Sequence, residues 1–393
     1  MYKKIVFATG VYLLALSINA QNTDVNGVLR QIGKNNKKLQ AYSAWIKSKH
    51  LDMKAENNPA DPQADVYHLP WGSSGEYTEF QISQSVEFPT VYSARGKLIG
   101  KQRHKMQLQY EALRQDILLK AKKHLLEVIY LNKLLTITKN RTQQAKRVFD
   151  HVNEMYNQEE VGKLEVNKAK VAWMQQQFRS DQLKNQKQNE LMLLKELNGG
   201  NTVSFHPSGG SGKNLTLAGI DTLWKQKQLN DPELAGLKQQ EAVVRQQIRL
   251  SKNKSLPDLK AGYNYQTGPG SNFSGIYGGL SLPLWNNKNK VKAAKARLEY
   301  QQAHAEATLM NFFARYQKKY NTYRMLRKKY KKYQSTLSGL QSDTMLLEAY
   351  KLGDITFIEY YMELNFYRQA YDAMLEVKNQ LNHRKAELLK HRL

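Results

Sequence analysis

The sequence predicts a mixed α and β membrane protein, in which very long antiparallel coiled-coil helices carry four short strands. Three observations point there. Two long tracts lack proline, four brief segments alternate apolar with polar residues, and both features recur at nearly one spacing.

The nine prolines fall at 59, 62, 70, 89, 207, 232, 257, 269 and 283, leaving none from Thr90 to His206 or from Leu284 to Leu393. A proline inside a helix costs about 3 kcal/mol, so each gap permits a very long helix. The two gaps belong to a repeat. Asn35-Asn36-Lys37-Lys38-Leu39 matches Asn230-Asp231-Pro232-Glu233-Leu234 at an offset of 195, and Phe88-Pro89 matches Leu282-Pro283 at 194. Val161-Gly162 is matched with Leu352-Gly353 at 191. Landmarks of different kinds at nearly one spacing are the signature of an internal repeat. The expected divisions are a signal peptide at 1–20, a first repeat at 21–198, a polar Gly-rich linker at 199–217 and a second repeat at 218–393.

Each repeat reads in the same order. A helix of moderate length comes first, near 25–56 and again at 219–254, where Asp231-Pro232 supplies a cap and a first-turn proline. A β-hairpin follows, at 61–89 and 256–285. Phe80, Ile82, Val86 and Phe88 alternate with Glu79, Gln81, Ser83, Ser85 and Glu87; Leu259, Ala261, Tyr263 and Tyr265 alternate with Lys260, Gly262, Asn264 and Gln266. Ile276, Leu280, Leu282 and Leu284 share one face. Period-two alternation gives one apolar and one polar face. Tyr67, Trp71, Tyr77, Tyr92, Tyr277 and Trp285 cluster near the strand ends, like an interfacial aromatic girdle.

After each hairpin a helix of about 65–70 residues, ~100 Å long, is expected, then a returning helix of about half that length. Two shorter helices end to end match one long one, which suggests a cylinder wall. Tyr323, Leu326, Tyr330, Tyr333, Leu337, Leu340 and Leu347 keep coiled-coil spacing, with Thr344 as the polar interruption. Four strands are too few to close a membrane barrel, for which eight is about the minimum, whereas three chains supply twelve. Open sheet edges demand partners, so the sequence argues for a homo-oligomer.

Composition excludes several classes. Lys3 and Lys4, the apolar run Ile5–Leu16 and Ser17-Ile18-Asn19-Ala20 read as a cleavable export signal. The absence of cysteine excludes disulfides, thiolate metal sites and a lipidated N-terminal cysteine. No later stretch is apolar enough for a transmembrane helix, so membrane insertion requires strands of a closed barrel. The net charge of +26 is dispersed along helices and reads as solvated faces, with no nucleic acid as partner. Ser208-Gly209-Gly210-Ser211-Gly212-Lys213 lacks the first glycine and the final hydroxyl of a phosphate loop, with Pro207 and Asn214 in those places. His124 and Glu127 stand at i and i+3 with no further ligand evident. No nucleophile–base constellation occurs, so neither an enzyme, a cofactor nor a metal site is expected.

Several of these motifs together resemble the outer-membrane efflux protein family, the TolC-like exit ducts. They are Asn230 to Leu234, Leu256-Pro257-Asp258-Leu259, the strand ending Gly278-Gly279-Leu280-Ser281-Leu282-Pro283-Leu284, and Tyr350-Lys351-Leu352-Gly353-Asp354-Ile355-Thr356. The first half matches through Gln84 to Pro89 and Tyr156 to Val166. The resemblance covers residue 25 to the end and lies in the order and spacing of motifs. It implies a homotrimer with a twelve-stranded β-barrel in outer-membrane lipid, above a periplasmic tunnel of helices. The tunnel would dock a periplasmic adaptor and an inner-membrane pump of the resistance-nodulation-division type. Short hairpins and Asn58-Pro59 look most like the cation-efflux branch, whose cargo is heavy-metal ions.

By the same resemblance, the adaptor-contact tips are Val161, Gly162, Lys163 and Leu164 in one repeat and Leu352, Gly353, Asp354 and Ile355 in the other. Glu359 matches an acidic position that rings the tunnel mouth in relatives. A second acidic position, one turn on, is Met362 here, with Glu363 displaced from it. Two rivals stand beside this reading: an outer-membrane duct for protein secretion, and an exported coiled-coil protein with a structural role.

Overall fold

The computed structural model describes residues 24–70, 75–205, 216–268, 270–285, 287–338 and 342–393. The expected signal peptide at 1–20, the Ser208–Lys213 stretch, Trp71, Pro269 and Leu340 lie outside the described residues.

Each repeat opens with two helices where the sequence suggested one: α1 (Val25–Asn35) and α2 (Lys37–Ala55), then α5 (Ile220–Asn230) and α6 (Pro232–Asn253). The breaks sit at matching places. Asn36 and Asp231 both take extended backbone and cap the following helix, Asn36 Oδ1 accepting from Leu39 N at 3.1 Å and Asp231 Oδ1 from Leu234 N at 3.2 Å. Capping oxygens of this kind satisfy backbone donors that a helix start leaves open. Asn36 Nδ2 also donates to Leu197 O at 2.8 Å, fastening the break to the far end of the repeat.

The strands are β1 (Gln63–Leu69), β2 (Tyr77–Val86), β3 (Asp258–Gly268) and β4 (Ser271–Ser281). They form one antiparallel sheet in the order β1-β2-β3-β4, so the two repeats join through β2 and β3. Register separates the faces. Ala64, Ile82, Tyr263 and Ile276 form one cross-strand row, and Asp65, Gln81, Asn264 and Gly275 the next. Phe80, Ile82, Tyr263, Tyr265 and Ile276 stand exposed on the apolar side, with Ile276 at 90% exposure. The other side is polar and bonded internally, Asn264 to Glu79 and Gln81 to Tyr277. Tyr77 and Tyr277 therefore belong to the polar face, not to an outward girdle. Phe88 is the N-cap residue of the next helix, not a strand residue.

That helix is α3 (Pro89–Asn157), 69 residues long, and α4 (Lys163–Leu197) returns along it for 35. The second repeat departs from the expected uninterrupted helix. α7 (Lys290–Leu337) ends at Ser338, where the backbone becomes extended, and α8 (Ser342–Lys351) resumes toward the tip. Ser335 and Ser338 hydroxyls donate to the carbonyls of Lys332 and Ser335, the local competition that makes serine a weak helix former. α9 (Phe357–Leu388) runs back, ending in a short 3-10 turn at Lys390–Arg392.

Packing sets the helices side by side in two levels. Nearer the sheet the row runs α2, α3, α6, α7; further away it runs α4, α3, α9, α7. Side-chain pairs lock the two repeats together along the α3–α9 seam, including Arg141 to Asp372 at 2.8 Å and Asn379 to Glu127 at 2.8 Å. The tyrosine stripe is packing: Tyr316, Tyr323, Leu326 and Tyr330 are buried with Val377 and Leu381. No helix among the described residues is long and apolar enough to cross a membrane.

Candidate functional site at the helix tips

The end of the molecule furthest from the sheet is formed by the reversals α3–α4 and α8–α9. In the first, the chain turns through Glu159, whose φ is +62°, and Glu160 N donates to Met155 O at 2.9 Å. In the second it turns through Gly353, φ +81°, and Asp354 N donates to Ala349 O at 3.0 Å. Both are six-to-one closures around one left-handed residue, the usual way to end a helix. Glycine suits that conformation and glutamate tolerates it at a cost.

This geometry corrects the sequence alignment of the tips. Gly353 corresponds to Glu159, an offset of 194. Gly162 corresponds to Thr356: each is the extended residue before a returning helix, with φ −82° and −71°. Gly162 is therefore an N-cap, and a methyl group there would meet nothing within 4 Å. The shift of three residues brings the tips to the spacing of the other landmarks. It also pairs Val161 with Ile355, Leu164 with Ile358 and Glu165 with Glu359.

The apolar tip residues divide into two groups. Val161 and Ile355 are half-buried against a small core of Val152, Val166, Phe357, Tyr360 and Leu364, so they hold the tip together and are not free to insert elsewhere. Leu164 and Leu352 point outward, at 64% and 78% exposure. Lys163 lies 5.1 Å from the centre of the Tyr156 ring, and Asp354 is exposed. Behind Leu164 the apolar line continues along α4 through Val171, Met174 and Phe178, all exposed. A similar line on α9 runs through Ile358, Met362 and Phe366.

Glu359 has a defined local task. Its Oε2 accepts from Thr356 N and from Thr356 Oγ1, each at 2.8 Å, while Glu359 N donates to Thr356 Oγ1 at 3.3 Å. This is a reciprocal capping box. The hydrogen bond from the Thr356 backbone, then that from its hydroxyl, holds the Glu359 carboxyl below the ordinary 4.5. The carboxylate is thus charged, exposed and fixed at the first turn of α9. In the second-half motif Leu352–Ile355, Gly353 is the left-handed residue of the reversal, the local part the sequence assigned to a glycine. The left-handed role of Glu159 carries no sequence signal, because glutamate is an ordinary helix residue.

No group of histidine, aspartate or glutamate among the described residues forms a metal-binding cluster. His124 Nδ1 lies 2.6 Å from Glu190 Oε2, and Glu127 faces Asn379 and His383. These side chains tie α3 to α4 and to α9.

No family model and no curated protein sequence matches the chain. Solved structures do. A membrane protein from Pseudomonas aeruginosa superposes with a TM-score of 0.77 at 14% identity, covering 93% of this chain and 89% of that one. The Campylobacter jejuni CmeC outer membrane channel gives 0.72 at 16%, covering 93% and 85%. The outer membrane protein VceC of Vibrio cholerae gives 0.71 at 12%, covering 93% and 95%. At such identities the common property is the fold, and it spans nearly the whole chain. The fold is that of the TolC-like outer-membrane channels, as the sequence motifs indicated.

Proposed function

We propose that three copies of this chain close into an outer-membrane exit duct of a tripartite efflux system. In that reading a twelve-stranded barrel crosses the membrane and a helical tunnel hangs below it. A periplasmic adaptor docks at the tips, and an inner-membrane pump of the resistance-nodulation-division type drives the substrate.

One observation carries the proposal: the same ends are left open at every level. The sheet ends on β1 and β4, the nearer helix row on α2 and α7, and the further row on α4 and α7. First-repeat elements always form one edge and second-repeat elements the other. A row with all its open edges in that arrangement closes by head-to-tail rotation of identical copies. The edges are also chemically unfinished. β1 and β4 lack ladder partners among the described residues, and Phe178 on α4 is exposed. Open strand edges cannot persist in hydrocarbon, where each unpaired backbone group costs several kcal/mol, so closure and insertion come together.

The apolar sheet face is the lipid side in this assembly, and the tips carry the docking residues. Leu164 and Leu352 are the adaptor contacts, positioned by the reversals that Val161, Gly162, Lys163, Gly353, Asp354 and Ile355 build. Glu359 contributes one carboxylate per chain to the tunnel mouth, its position set by Thr356.

The absence of cysteine makes the test clean. Single cysteines placed in β1 and β4, at Val66 and Ile276 and at neighbouring register positions, should give disulfide-linked ladders that stop at the trimer. A chain that stays monomeric in detergent and in membranes overturns the assembly. Leu352→Glu with Leu164→Glu should leave the trimer intact and abolish efflux-dependent resistance; full resistance would remove the tips from the docking surface.

A further inference from the structure

We propose that the bore of this duct is lined at mid-height by a ring of lysines and therefore favours anionic cargo. This rests on the trimeric duct reading above and adds the charge class of what passes. Between Glu306 and Asp343 the sequence holds nine lysines and arginines and no aspartate or glutamate. That run occupies most of the lower half of α7.

Contacts assign each side of α7. Tyr323 Oη accepts from Leu217 N at 2.9 Å, Tyr320 Oη donates to Ala218 O, and Arg327 donates to Thr216 Oγ1 at 2.9 Å. Trp224 of α5 packs on Tyr316, with ring centres 5.5 Å apart. These residues face a strap made of 216–218 and α5. A second side, with Leu326 and Tyr330, packs on Val377 and Leu381 of α9. The strap must lie outside a closed cylinder, because three copies of it would fill the bore. With about 100° of turn per residue, the side of α7 opposite the strap carries Lys318, Met325, Lys329 and Lys332. All four are exposed, and the three lysines have no carboxylate within ion-pair distance among the described residues.

Of the neighbouring acids at this height, Asp372 is paired with a full cation. Glu127 accepts from Asn379 and faces His383 Nε2 at 3.6 Å, Asp372 accepts from Arg141 at 2.8 Å, and Glu376 accepts from Gln380 at 3.0 Å. Gln380 is neutral, so Glu376 keeps its charge, and one exposed carboxylate per chain stands against three lysines at this level. Three per chain make a ring of nine in the trimer, starting about 40 Å along the helix from its sheet end. One sign of charge in a narrow, low-dielectric passage concentrates counter-ions. Small anions, or cargo bearing carboxylate or phosphate, are thereby enriched, and a bare divalent cation is repelled.

The experiment is the reversal potential of purified trimer in planar bilayers under a potassium chloride gradient. The parent should prefer chloride. Lys318→Gln/Lys329→Gln/Lys332→Gln should lower the chloride-to-potassium permeability ratio by roughly twofold or more, with the trimer band retained. Lys329→Gln alone should move it in the same direction by less. Lys225→Gln, on the outer strap, should leave it unchanged. A cation-preferring parent, or a triple variant with the parent's ratio, overturns the anionic lining while leaving the duct in place. A trimer that conducts nothing overturns both the lining and the duct.

Discussion

Gly262, in the middle of β3, is the position where one added methyl group should do most harm to the sheet. It lies on the polar face, opposite Ser83 of β2 and Tyr277 of β4. A Cβ there would stand 2.6 Å from Ile82 O and 2.6 Å from the Tyr277 ring. The ring lies across the glycine and its hydroxyl bonds to Gln81, while Ser83, paired with Gly262 across β2 and β3, is only 2% exposed. Glycine is thus the gap into which Tyr277 folds, an arrangement that pins register between strands. Gly262→Ala must push aside both a ring and a backbone carbonyl. Overpacking of this kind costs about 1–3 kcal/mol per chain, hence roughly 3–9 kcal/mol for the three copies of the proposed trimer. The assay is the temperature at which the detergent-solubilised trimer dissociates. Gly262→Ala should lower it markedly. Adding Tyr277→Ser should restore only part, because the Ile82 carbonyl remains. Gly268→Ala, whose methyl group would meet Tyr77 at an ordinary 3.7 Å, should change little. A Gly262→Ala trimer as heat-resistant as the parent would refute this account of the sheet.

Three further outcomes are expected. Gly353→Ala places a side chain at φ +81° and should destabilise the tip by about 1 kcal/mol, whereas Gly162→Ala should be neutral; proteolysis at the tips distinguishes them. Thr356→Val removes the hydroxyl but not the backbone bond to Glu359, so the Glu359 titration, followed by carboxyl NMR, should move up toward 4.5. Because the folded carboxyl titrates below its unfolded value, its stabilising bond is present above pH 4.5 and is lost as pH falls through the lowered value. Ile276→Arg puts a charge on the apolar sheet face at a cost of about 2–4 kcal/mol near the midplane. Membrane fractionation should then find less inserted trimer, and unchanged insertion would reassign that face.

Local chemistry alone determined much of this molecule. Proline-free tracts set where helices could run, period-two alternation sorted Phe80, Ile82 and Tyr263 from Gln81 and Asn264, and the spacing of Asn36, Pro89 and their counterparts revealed the duplication. Helix breaking and alternation depend on residues a few positions apart, and the duplication is a match between such local patterns, so all three survive without knowledge of the fold. What only the tertiary structure decided depends on groups distant in sequence. Asn36 breaks the first helix because Leu197 O, 161 residues on, receives its side-chain amide. Val161 and Ile355 are withdrawn from the surface because α3, α4, α8 and α9 meet around Phe357 and Tyr360. The turn through Glu159 follows from two helices that must reverse at that height, whatever residue stands there. Lys318, Lys329 and Lys332 share one side of α7 by helical phase, but that this side is uncovered depends on a strap about 100 residues earlier in the chain packing on the opposite side. Helical phase is written in the sequence, but which phase angle meets solvent is set by the partners that pack on the rest.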